Sequence, residues 1–167
     1  MQPGTVEVRR AANHDLQRPG SPSKWKAWLP ALIWLGIIAA ESTAVFSSAN
    51  TGLWLYPLFH YFTGVDRARF EIWNGVLRKL GHFVGYFILS VLLFRAWRAT
   101  LTSRASAWSQ RWASIAWLMT TAVAGLDEWH QTYIPSRTGT IHDVILDSAA
   151  ALTAQFVIWA LLIRKID

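Results

Sequence analysis

The chain has 167 residues, of which 53% are hydrophobic and 16% charged, with a formal net charge of +6, eleven Trp and no Cys. The length fits one domain, and the composition excludes a disordered chain, a collagen-like repeat and a disulfide framework. The basic residues are scattered between apolar blocks, which favours a membrane over nucleic acid as the partner.

Residues 1–26 mix Pro, Gly, Ser and charges without apolar periodicity and read as a flexible cytoplasmic tail, leaving 27–167 as one domain. The first predicted span covers 28–46. It could instead be a signal peptide cleaved near Ser47, Ser48 and Ala49. Its long apolar run and the internal Glu41, which needs a partner in a retained helix, argue for a span. The connection at 47–79 is long enough to hold structure. Its aromatic stretch 53–62 is expected in the outer interface or dipping into the membrane. Phe70, Trp73, Val76, Leu77 and Leu80 follow helical spacing, predicting an amphipathic helix that leads into the second span.

The second span covers 80–99 and carries His82 and Tyr86. Gly81 and Gly85 form a small-xxx-small step that predicts close helix packing. The third covers 112–133 and is cleanly apolar only through Leu126. A short turn with Pro135 and Gly139 follows, and Thr140 stands three residues before Asp143, as in a capping box. The fourth span covers 143–163. A soluble bundle would need polar faces that IWLGII, YFILSVLLF and FVIWALLI lack. The expected fold is all-α: a polytopic membrane bundle of four transmembrane helices with an outer interfacial helical segment between the first and second.

Positive charge sets the orientation. Arg9, Arg10, Arg18, Lys24 and Lys26 precede the first span. Arg95, Arg98, Arg104 and Arg111 join the second to the third, and Arg164 and Lys165 follow the fourth. Eleven cations thus share one side. Five (Arg67, Arg69, Arg78, Lys79 and Arg137) share the other. Both termini are expected in the cytoplasm, with Trp residues marking both interfaces.

On this topology Glu41, Asp127, Glu128, Asp143 and Asp147 all fall in the outer half of the membrane. A carboxylate there should face a partner or a water-filled cavity. Asp127 and Glu128 share a helical face with Gln131, Asp143 with Asp147, and Lys79 with His82 and Tyr86. Four helices therefore bring these groups to one extracytoplasmic polar pocket. Arg137 is the expected counter-charge, with a fork suited to phosphate or carboxylate. The plainer alternative is that these groups only pair with one another and fix helix register. His60, His130 and His142 read as interfacial. Ser47 and Ser48 could face the pocket, but a nucleophile needs a base within reach. His82 with several carboxylates is a weak metal set, lacking an HExxH spacing. There is no Walker loop, GxGxxG or GxSxG, and no cofactor is expected.

The stretch DEWHQTYIPSRTGTIHDVILDSAAA at 127–151 resembles the signature of the VanZ-like family, Asp-Glu-x-x-Gln, an aromatic, Pro-Gly-Arg and then Asp. KLGHFVGYFILSVLL and the Ser-rich exit at Phe46, Ser47 and Ser48 are similar to its other segments. Asp147 stands where that family usually has Asn, and Ser136 where it has Gly. The resemblance implies a bacterial membrane protein, in a family named for reduced susceptibility to teicoplanin. It marks Lys79, His82, Tyr86, Asp127, Glu128, Gln131, Arg137 and Asp143 as the matching site positions.

Three readings follow. In the first, the pocket binds the headgroup of a cell-envelope lipid or lipid-linked wall precursor, or a glycopeptide, with membrane lipids as neighbours and no nucleic acid. Glu41, Lys79, His82, Tyr86, Asp127, Glu128, Gln131, Arg137, Asp143 and Asp147 are its binding candidates. In the second, it is a small intramembrane enzyme with Glu128 or Asp127 as base, His82 as acid partner and Arg137 as anion stabiliser. In the third, Glu41, His82 and Asp147 shuttle protons in a transporter.

Overall fold

The computed structural model describes residues 24–101 and 108–163. The expected tail therefore lies almost wholly outside the described residues, as do Arg104, Arg164 and Lys165. Among the described residues five helices follow in order: α1 (Lys24–Glu41), α2 (Ser48–Thr63), α3 (Arg67–Leu101), α4 (Gln110–Gln131) and α5 (Ile141–Ile163), with a 3-10 turn (Ala44–Phe46) between α1 and α2. No strand occurs among the described residues.

The first predicted span ends earlier than its apolar pattern. The Glu41-Ser42-Thr43 sequence stops α1, and the Thr43 hydroxyl folds back to donate to the Ala40 carbonyl at 2.7 Å. Ser47 then caps α2 by accepting from the Asn50 amide at 3.3 Å. Gly64 closes α2 in the left-handed region (φ 68°), a conformation that other residues adopt at a cost. Asp66 caps α3 through the Arg69 amide at 2.9 Å.

α3 corrects a second boundary. The amphipathic segment and the second span are one continuous helix of 35 residues, about 52 Å long. No Pro interrupts the sequence from Arg67 to Leu101. Phe70 is buried against Tyr56 and Phe59 of α2, whereas Trp73, Val76, Leu77 and Leu80 face outward. Most of the predicted apolar stripe thus points away from the bundle.

α3 is the hub, contacting α1, α2, α4 and α5. The interior is built from small and polar side chains, including Ala113, Ala116, Ala124, Ala150, Ala151 and Ala154, around Tyr86, Leu89 and Leu93. Large apolar residues sit outside: on α5, Ile145, Leu152, Phe156 and Leu161 are exposed, while Asp147 is wholly buried. This inversion suits lipid, where helices associate through small residues and interhelical hydrogen bonds. Ser90 donates to the Ala151 carbonyl at 3.0 Å, and Gln155 donates to Ser90 Oγ at 2.7 Å. The Trp residues divide between two duties. Trp25, Trp54, Trp73, Trp129 and Trp159 are exposed, whereas Trp28 donates to Thr100 and Trp34 to the Gly85 carbonyl, at 2.9 and 2.8 Å.

The small-xxx-small step does not serve close packing. A β-carbon at Gly81 or Gly85 would meet nothing within 4 Å. Both glycines instead line a narrow notch beside His82, Tyr86 and Asp127.

Two helices, α3 and α5, are long and apolar enough to cross a membrane. A third crossing arises if α1 and the segment 44–63, which meet at a 68° bend, count as one. α4 is not among them: Arg111 and the pair Asp127 and Glu128 bound its apolar run.

Candidate functional site

The α4–α5 turn sets the geometry of one end of the bundle. Thr140 precedes α5, and its hydroxyl accepts from the Asp143 amide at 3.2 Å, the forward half of a capping box. The reciprocal half comes from another helix. The Thr140 amide donates to Glu128 Oε2 at 2.9 Å, and Asp143 turns to Lys79 on α3, 3.6 Å away. Gly139 permits this closure, since a β-carbon there would stand 2.1 Å from the Glu128 carbonyl oxygen.

Behind the turn, three helices share one polar network. Tyr86 on α3 donates to Asp127 Oδ2 on α4 at 2.9 Å, and Gln131 Nε2 donates to the same oxygen at 3.2 Å. Arg78 then donates to Gln131 Oε1 at 3.3 Å. Alongside, His82 Nδ1 lies 3.3 Å from Asp147 Oδ2 on α5. Glu128, Gln131 and Asp147 are buried, and His82 is half-buried.

The sequence candidates therefore separate into three groups. His82, Tyr86, Asp127, Glu128, Gln131 and Asp147 form the interior cluster. Lys79 and Asp143 pair at its rim, with Lys79 largely exposed. Arg137 and Glu41 depart from expectation. Arg137 is buried, but its Nη2 donates to the backbone carbonyls of Glu41 and Thr43, the latter at 2.9 Å. It captures the last carbonyl of α1 and one just beyond it instead of pairing with a carboxylate. Burial, and then the Arg78 charge, pull its pKa below the ordinary guanidinium value, with Asp127, Glu128 and Glu41 acting in the opposite direction. The Glu41 side chain is exposed at the helix end, not buried with a partner.

Two residues were passed over in the sequence. Arg78 lines both of the larger clefts at this end. Its signal was spacing: Asn74, Arg78, His82 and Tyr86 recur every fourth residue and share one face of α3. His130, read as interfacial, approaches Ser42 Oγ at 3.4 Å and ties α4 to the end of α1.

The broader cleft, about 800 Å³, is bounded by Arg67, Asn74, Arg78, Lys79, His82, His142 and Asp143 among others. A second, of about 220 Å³, lies between α1, α2 and α3 and reaches Glu41, Arg78, His82 and Arg137. His82 lines both and also the notch beside Tyr86 and Asp127.

Among the described residues these features define an all-α protein with membrane-type helices and a polar site enclosed by α3, α4 and α5. The chain belongs to the VanZ/LLP1 family, whose model matches residues 27–163. No curated protein and no solved structure matches it.

Proposed function

We propose that this is a multi-pass protein of the bacterial inner membrane whose outward-facing cleft binds the anionic headgroup of a cell-envelope lipid or lipid-linked wall precursor. In this reading α4 is a fourth crossing, both termini are cytoplasmic, and the α2 segment lies at the outer surface. The same cleft would account for a part in reduced susceptibility to teicoplanin-type glycopeptides, through the wall precursor they target.

The observation that carries the reading is the charge balance of the larger cleft. Arg67 pairs with Glu71 at 3.2 Å and Lys79 with Asp143 at 3.6 Å. Arg78, between them, is held by the neutral Gln131. A guanidinium beside a cleft, without a carboxylate partner among these contacts, suits a phosphate oxygen.

The test uses the full chain in phosphatidylcholine nanodiscs, with a short-chain polyprenyl diphosphate as probe and native mass spectrometry as readout. The expected result is saturable binding that weakens about tenfold or more in Arg78→Gln, as loss of a charge-assisted hydrogen bond implies. Binding no stronger than that of a zwitterionic lipid, or unchanged in Arg78→Gln, overturns the reading.

A further inference from the structure

The cluster of His82, Glu128 and Asp147 is left unexplained by an anion cleft. One donor atom from each residue lies within 4.8 Å of the other two. His82 Nδ1 and Asp147 Oδ2 are 3.3 Å apart. That is close to the edge of a tetrahedron whose donors stand about 2.1 Å from a shared ion.

Glu128 is 3% exposed and Asp147 0% exposed. Each holds one buried oxygen with no hydrogen-bond partner, Glu128 Oε1 and Asp147 Oδ1. A buried carboxylate oxygen left so is expensive and calls for a specific explanation. The cations at this end are engaged elsewhere: Lys79 with Asp143, Arg78 with Gln131, and Arg137 with the carbonyls of Glu41 and Thr43. The neighbouring Asp127, by contrast, is satisfied by Tyr86 and Gln131.

The framework is that of a metal site in a helix bundle. α3, α4 and α5 each supply one donor, projecting inward. The Thr140 amide holds Glu128 Oε2, an outer contact of the kind that orients a ligating carboxylate. Two carboxylates and a neutral imidazole carry a charge of −2, which a dication would cancel where net charge is costly.

We propose that His82, Glu128 and Asp147 hold a divalent first-row transition cation, with an open coordination position on the His82 side, toward the clefts. The mixed imidazole and carboxylate set selects ions of the Zn²⁺ and Mn²⁺ kind over Ca²⁺, which prefers six or more oxygens. The proposal is independent of the anion reading, because its probe is the metal alone.

The experiment uses the full chain without an affinity tag, in detergent, stripped with chelator and equilibrated with Zn²⁺ or Mn²⁺ before dialysis. Metal is counted by elemental mass spectrometry, and Mn²⁺ is followed by electron paramagnetic resonance. One ion per chain is expected, with the bound Mn²⁺ signal displaced by Zn²⁺. Glu128→Gln and Asp147→Asn should each weaken retention at least as much as losing an outer partner does, about 10–100-fold. Less than one-tenth of an ion per wild-type chain overturns the proposal, a result that does not depend on any variant folding. So does equal retention by wild type and both folded variants.

Discussion

At Gly139 a β-carbon would stand 2.1 Å from the Glu128 carbonyl oxygen and 2.9 Å from Thr132 Cγ2. The first neighbour is backbone and cannot rotate aside. Gly139→Ala is expected to destabilise the protein by about 1–3 kcal/mol, the usual range for overpacking, read as a lower thermal unfolding midpoint in detergent. The sequence showed a glycine in this turn but not its role, which is close approach to the Glu128 carbonyl. Residue type was enough to mark His82, Glu128 and Asp147, because ionisable groups within apolar runs demand partners. It was not enough to name those partners. Arg137 was legible as a charge, yet it binds the carbonyls of Glu41 and Thr43, and every sequence offers a carbonyl at every position. Glu41 misled for the converse reason. Its place in an apolar run suggested burial, but α1 ends at that residue.

At the scale of elements, the start of α5 depends on Thr140 in two ways. Its hydroxyl accepts from Asp143, and its amide donates to Glu128. Thr140→Ala removes only the first contact and should lower stability by about 1 kcal/mol. Thr140→Ser should recover most of that, with thermal unfolding of both variants as the measurement. Helix existence was readable from the apolar runs, and the short α4–α5 turn from Pro135 and Gly139. The junction between the amphipathic segment and the second span was not. A helix that changes from a surface to a bilayer environment shows a change in composition at that point, but α3 shows no break in its backbone. The 68° bend after α1 was likewise hidden, since the apolar pattern resumes at Ala44, Val45 and Phe46 after only three polar residues.

For the molecule as a whole, orientation decides which compartment reaches the clefts. The native chain has no Cys, so Ser136→Cys introduces a single label site beside Arg137. In intact bacteria, with any outer membrane permeabilised, a membrane-impermeant maleimide is expected to react. Reaction only after inner-membrane lysis would place the turn in the cytoplasm and remove envelope precursors as ligands. The inverted packing, with small and polar residues inside and Leu152, Phe156 and Leu161 outside, was implicit in the composition. It became visible only once the helices had neighbours, because hydropathy reports how apolar a helix is and not which face is lined by alanine.

The bond from the Thr140 amide to Glu128 also bears on the order in which the chain is built. During synthesis α4 is complete before any of α5 exists. Until Thr140 arrives, Glu128 has neither that donor nor the neighbouring Asp147 helix. On the proposed topology, α4 alone would meet the bilayer with two adjacent carboxylates at its trailing end, groups that call for a partner or a water-filled cavity there. α5, by contrast, is apolar enough to enter by itself. On that topology the two are expected to enter as a hairpin, with the second helix drawing in the first, so that the polar site would close in the same step that completes insertion.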